Sequence, residues 1–258
     1  MNPQGVFTAY YTIVRKDAKR VIRLWPQTFL PSVITSALYF LIFGSFLGSR
    51  IGNIGSVPYI TFVVPGLVML AVVTNSFANV ATVMFSAKFM VRNIDEILVS
   101  PTPPWVIVAG FITSGVVRGT LVGILVLIVA TFFTHITVHN YFTVIAFLIL
   151  TSLAFSLGGL VNGILAKTFD GISIIPTFVL APLVYLGGVF YSVDVLPDFW
   201  RTVSHLNPIF YVINGFRYGF LGFADVSPAT SFAVLVAIII ALGGVSVYQL
   251  RTGLGLKL

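Results

Sequence analysis

Along the chain, long apolar stretches without charge alternate with short polar breaks. No Asp, Glu, Lys or Arg occurs in 24–49, 51–87, 97–117, 119–166, 171–193 or 226–250. A helix needs roughly 20 apolar residues to cross a hydrocarbon core of about 30 Å. In lipid every backbone polar group needs a partner inside the spanning structure, which leaves helices or a closed barrel. The runs are near-continuously apolar instead of alternating, so they predict helices. Six spans follow, at about 27–48, 59–83, 105–134, 142–166, 172–191 and 229–250. The run 119–166 is too long for one helix and breaks at the polar turn from His135 to Asn140. Pro65, Pro176 and Pro182 fall inside spans, where kinks are tolerated. The predicted fold is all-α and polytopic, a single membrane domain over 1–258.

Three segments lie outside these spans. In 6–25, a rotation of about 100° per residue places Phe7, Tyr10, Tyr11, Val14, Ala18, Val21, Ile22 and Trp25 on one side. Arg15, Lys16, Lys19, Arg20 and Arg23 fall on the other. This reads as a basic amphipathic helix lying in the membrane interface, with its cations at anionic headgroups. It serves as a topology anchor, or also touches a partner. The loop 84–104 holds a short helix through Phe89, Arg92, Ile94, Asp95, Glu96 and Leu98, stopped by Pro101, Pro103 and Pro104. It is longer than a plain connection requires. Its mixed charge suits either solvent or docking in a groove of another protein. In 192–228, Leu196-Pro197 opens one short helix, and Asn207-Pro208, a cap followed by proline, opens a second. The second carries Asn214 and Arg217 and is too broken for a clean span, so a hairpin re-entering the outer leaflet is expected. Tyr191, Trp200, Tyr211 and Tyr218 would then sit at headgroup depth.

Charge gives the orientation. With the N-terminus inside, the inner segments hold Arg15, Lys16, Lys19, Arg20, Arg23, Lys88, Arg92, Lys167, Arg251 and Lys257. The outer ones hold only Arg50, Arg201 and Arg217. This bias places both termini in the cytoplasm. Composition agrees with the membrane assignment: of 258 residues 58% are apolar and only 8% charged, against about a quarter charged in soluble domains. The formal charge of +7 is therefore a topology signal and no pointer to nucleic acid. Absent cysteine excludes disulfides and thiolate metal sites. No cleavable signal peptide is expected, because the first apolar run is too long for one.

Catalytic patterns do not emerge. No Gly-Lys dipeptide occurs, so there is no phosphate-cradling loop, and the common hydrolase, metalloprotease and dinucleotide motifs are missing too. His135 and His139 have a metal-compatible spacing but lie in a turn without carboxylates, so no metal is expected. Within the spans, Arg118 is the costliest polar residue. It lies along the small-residue stripe Gly115, Gly119, Gly123, which matches Ser152, Ser156, Gly159 and Gly163 in the fourth span, and these helices are expected to pack together. Arg118 either bonds carbonyls or polar groups such as Asn162, or meets an anionic headgroup of a substrate. Asn75, Asn79 and Thr82 share one side of the second span, as interhelical bonds or as part of a substrate path.

The ordering of these parts resembles the permease subunit of ABC-2-type ATP-binding-cassette exporters, over nearly the whole chain. The motifs that carry the resemblance are Val64–Leu67, Arg92-Asn93-Ile94-x-Glu96, Ala166–Asp170, Leu186–Ser192, Leu196-Pro197-x-Phe199-Trp200, Leu206-Asn207-Pro208 and Gly215–Gly219. The resemblance implies a non-enzymatic subunit of the bacterial inner membrane that acts as a homodimer with two copies of a separate ATPase. ATP and Mg would be bound by that partner and no cofactor by this chain. It also implies that Lys88, Phe89, Arg92, Asn93, Ile94, Asp95, Glu96 and Leu98 form the coupling helix seated in the ATPase. The outer hairpin, with Trp200, Asn207, Pro208, Phe216 and Arg217, would gate exit. A hydrophobic or lipid-linked cargo fits the apolar spans. The alternatives are an ion- or proton-coupled carrier, which lacks membrane carboxylates here, and a membrane-embedded enzyme or scaffold.

Overall fold

The computed structural model describes residues 2–54, 57–91 and 94–256. It is nearly all helical, with six helices long and apolar enough to cross a membrane: Trp25–Gly44, Tyr59–Met90, Pro104–Thr131, Tyr141–Leu165, Phe169–Leu186 and Pro228–Thr252. These are the six expected spans, with ends moved by up to seven residues. Arg92 and Asn93, two residues of the expected coupling helix, and Lys257 lie outside the described residues.

Helix α1 (Pro3–Arg23) precedes α2 (Trp25–Tyr39), which continues as a π-helical stretch, Phe40–Leu47. A single turn, α3 (Gly48–Ile51), and a two-residue antiparallel ribbon pairing Asn53–Ile54 with Val57–Pro58 lead into α4 (Tyr59–Phe85). The last turn of that span is again π-helical, Ser86–Met90. After α5 (Ile94–Val99) come α6 (Pro104–Thr131) and α7 (Tyr141–Leu165). The fifth span is α8 (Phe169–Ile175), a π-helical turn that begins at Pro176, and α9 (Ala181–Leu186). Then follow α10 (Asp198–His205), α11 (Pro208–Leu221) and α12 (Pro228–Thr252).

Local chemistry sets several of these ends. The Asn140 side chain accepts from Thr143 N at 3.1 Å and starts α7 after the polar turn. Thr168 does the same for α8, Asn207 for α11 and Ser227 for α12. Each satisfies an N–H that the helix itself leaves unpaired. Gly222, at φ +76°, closes α11.

The centre of the bundle is α4, gripped between α6 and α7. Small residues let the three backbones meet. Gly115 faces Ser156 and Val80, and Gly119 faces Ser76 and Ser152. Gly123 lies against Val72 and Leu148. Gly159 abuts the Phe77 carbonyl, and a Cβ at Gly163 would stand 2.8 Å from Ala81 O. The two expected stripes do pack against each other, and both also serve α4. By contrast α2, the fifth span and α12 leave large apolar side chains open, including Ile34, Phe178 and Ile240.

Candidate functional site: a polar cluster and two helical ends

Polar side chains within the bundle converge on α4. Arg118 of α6 donates to Asn79 Oδ1 and to Asn75 Oδ1, each at 3.3 Å. Asn79 is buried, and its amide nitrogen donates to Ser114 Oγ at 3.1 Å, which fixes which end of the amide faces Arg118. Asn75 donates to Ser32 Oγ and to Ala71 O, tying α2 to α4. Arg118 thus bonds two side chains of α4 and not Asn162. Asn162 instead donates to the Ile172 carbonyl at 2.9 Å and anchors α8.

Helix α1 lies along α6 and turns one of its cations, Arg20, toward the bundle. Phe7, Tyr11, Ile22 and Trp25 of the apolar side are exposed. Toward α6 it presents Tyr10, bonded to Thr113 at 3.0 Å, Ile13 against Gly110, and buried Asp17. Arg20 points the same way and donates to Asn79 Oδ1 at 3.1 Å. Burial pushes the Asp17 carboxyl above the usual range, while Arg20, the Ser114 hydroxyl and Lys16 pull it down. The polar network of the bundle attracts the polar edge of α1, leaving its apolar edge outward.

At this end of the bundle Lys88 is buried and donates to the carbonyls of Ile164, Ala166 and Gly255. Lys88 and Phe89 belong to the π-helical end of the second span, not to the short helix expected over 88–98, which begins only at Ile94. Phe89 packs on Phe85, with ring centroids 4.7 Å apart. Ile94 is buried, Leu98 is half-buried, and Asp95 and Glu96 are exposed. Glu96 also edges a cavity of about 700 Å³ lined by Lys16, Lys19, Arg20 and Arg23 of α1 together with Phe111.

At the opposite end, α10 and α11 form two short helices joined at Leu206-Asn207. Phe216 and Arg217 are buried in the core, as is Asn207, which holds the Leu183 carbonyl. Arg217 donates to Gly188 O at 2.6 Å and lies 4.0 Å from the ring centroid of Phe62. Gly188 adopts φ +79°, the left-handed turn that aims its carbonyl at Arg217. Pro208 is half-buried and Trp200 is 46% exposed.

Residues 8–221 match the ABC-2 type transporter family. The chain belongs to that family. It is 52% identical to the inner membrane transport permease YadH of Escherichia coli (strain K12) over 251 residues, 97% of this chain and 98% of that one. It is 25% identical to nodulation protein J of Neorhizobium galegae over 220 residues, 85% and 84% of the two chains. The protein is thus a multi-pass inner-membrane transport permease. The permease carries two site features that the sequence pattern did not reveal, the inward Arg20–Asn79 contact and the Lys88 clamp. Both are cations in segments whose polarity looked superficial, and only contact with a second segment distinguishes them.

Proposed function

We propose that this permease is the membrane half of an ATP-driven exporter, moved by a separate ATPase. The observation that carries the reading is the mixed-charge recess where Glu96 of α5 lines one cavity with Lys16, Lys19 and Arg23 of α1, with Asp95 exposed next to it in the chain. The Lys/Arg bias assigns that end, and both termini, to the cytosol. In this reading α1 rests in the inner-leaflet interface, its exposed Phe7, Tyr11 and Ile22 in lipid. The segment around Asp95, Glu96 and Leu98, with the neighbouring Arg92 and Asn93, seats in the ATPase, and Lys88 and Ile94 brace it from within. Two permeases pair as a homodimer and bind two ATPases, which hold the ATP and Mg. This chain contributes no phosphate-binding loop.

The mechanism is alternating access. ATP touches no residue here, so it acts through the different affinities of its ATPase for two permease states. The loop transmits the shift to α4, whose span runs on through the π-helical turn Ser86–Met90, and the hairpin α10–α11, re-entrant in the outer leaflet, gates release of a hydrophobic or lipid-linked cargo. Trp200 lies on the exposed side of that gate, while Asn207, Phe216 and Arg217 tie it to the fifth span and α4. A proton-coupled carrier would have to use Asp17, the one buried carboxylate among the described residues, which lies before the first span.

Charge reversal tests the docking surface. Glu96→Lys is expected to weaken co-purification with the ATPase by about tenfold, the scale of one interfacial charge, and to lower transport in parallel. Membrane insertion should be unchanged. Wild-type association and transport in that variant would remove Glu96 from the interface.

A further inference from the structure

Two guanidinium groups from different helices, Arg20 of α1 and Arg118 of α6, meet at one carbonyl oxygen, Asn79 Oδ1, at 3.1 and 3.3 Å. Their remaining described partner is another neutral amide, Asn75. The Nε of Arg118 is buried without a partner. Among the described residues neither arginine forms an ion pair, the only salt bridge being Arg201 with Asp198. The nearby carboxylate, Asp17, keeps Oδ2 buried and unbonded. Two like charges thus meet on neutral acceptors, and among the described residues no carboxylate is bonded to either.

A cleft of about 310 Å³ opens directly on this pair. Its polar lining is Gln27, Thr28, Asn79 and Thr82 with the two arginines, and Val21 and Leu24 supply an apolar edge where α1 turns into α2. The lining is amphiphilic: hydroxyl, amide and guanidinium donors on one side, aliphatic side chains on the other. Paired guanidiniums match the oxygens of a phosphate-type anion better than any neutral group.

We propose that this cleft binds the anionic, phosphate-type headgroup of an amphiphile, with Arg20 and Arg118 gripping the headgroup and the elbow at Val21 and Leu24 taking the start of its tail. Its standing as a cargo site rests on the exporter reading, whereas binding itself needs no ATPase, so the two fail separately.

The test uses the full-length permease in nanodiscs of zwitterionic phosphatidylcholine, titrated with short-chain phosphatidic acid and, in a parallel arm, with inorganic phosphate. Phosphatidic acid is expected to bind saturably, and Arg20→Gln and Arg118→Gln should each weaken it by about tenfold or more. Arg118→Lys should lose less, because the charge remains. If Arg118→Gln does not fold, Arg20→Gln on the partly exposed α1 decides the question alone. Unchanged affinity in Arg20→Gln would overturn the proposal. Inorganic phosphate binding as tightly as phosphatidic acid would also overturn it, by showing a free-anion site in place of an amphiphile site.

Discussion

Replacing Lys88 by methionine is expected to cost the permease roughly 3 kcal/mol, because two buried carbonyls and one half-buried carbonyl lose a charged donor at once. Those carbonyls belong to Ile164 at the end of α7, Ala166 just after it and Gly255 beyond α12. One ammonium therefore ties the end of the second span to two distant segments, the end of α7 and the turn after α12. Methionine fills most of the volume, so the loss isolates the bonds from the packing. On the usual scale for 150–250 residues this lowers the melting temperature by about 6–12 °C, read by thermal unfolding in detergent. Melting at the wild-type temperature would show that the clamp contributes nothing net.

Gly159→Leu is expected to prevent folding of the bundle, and Gly159→Ala to cost about 1–3 kcal/mol. A Cβ at Gly159 runs into the backbone of Phe77, including its carbonyl oxygen, so no rotamer change relieves the clash. Nor does α4 have room to retreat, since Val80 and Ser76 on it already meet Gly115 and Gly119 of α6. Gly243 of α12 is the internal control: nothing lies within 4 Å of a Cβ placed there. Gly243→Ala should therefore leave monodisperse yield and melting temperature unchanged, while Gly159→Ala reduces both. Equal behaviour of the two alanine variants would mean that the three-helix contact is looser than described.

The spans were legible because membrane insertion leaves a one-dimensional trace. Charges cannot enter the hydrocarbon cheaply, so Arg50, Lys88, Lys167 and Arg251 punctuate the chain near the ends of helices. The cap and proline at Asn207-Pro208 placed the start of α11, and the polar turn ending at Asn140 placed that of α7 within a residue. The small-residue stripes on α6 and α7 were equally readable, since only close backbone approach needs them.

What stayed hidden shares one cause. Periodicity tells which side of a helix is polar but not which side faces the protein. In α1 the cations were expected at headgroups, whereas Arg20 turns to the polar edge of α4. Lys88 looked like one more cation of a solvated loop, and its burial depends on Gly255, 167 residues away in sequence. Arg118 was visible as an anomaly, yet its partners, Asn75 and Asn79, depended on the rotation of α4 about its axis. The π-helical stretches, Phe40–Leu47 among them, have no composition signal to announce them.

The proposed division of labour between permease and ATPase is tested most directly by reconstitution. The purified permease is placed in proteoliposomes with and without its companion ATPase, and accumulation of an amphiphilic cargo against its gradient is followed on adding ATP. The account predicts vanadate-sensitive uphill transport only when both chains and ATP are present. Uphill transport by the permease alone, driven by a proton or ion gradient, would contradict it.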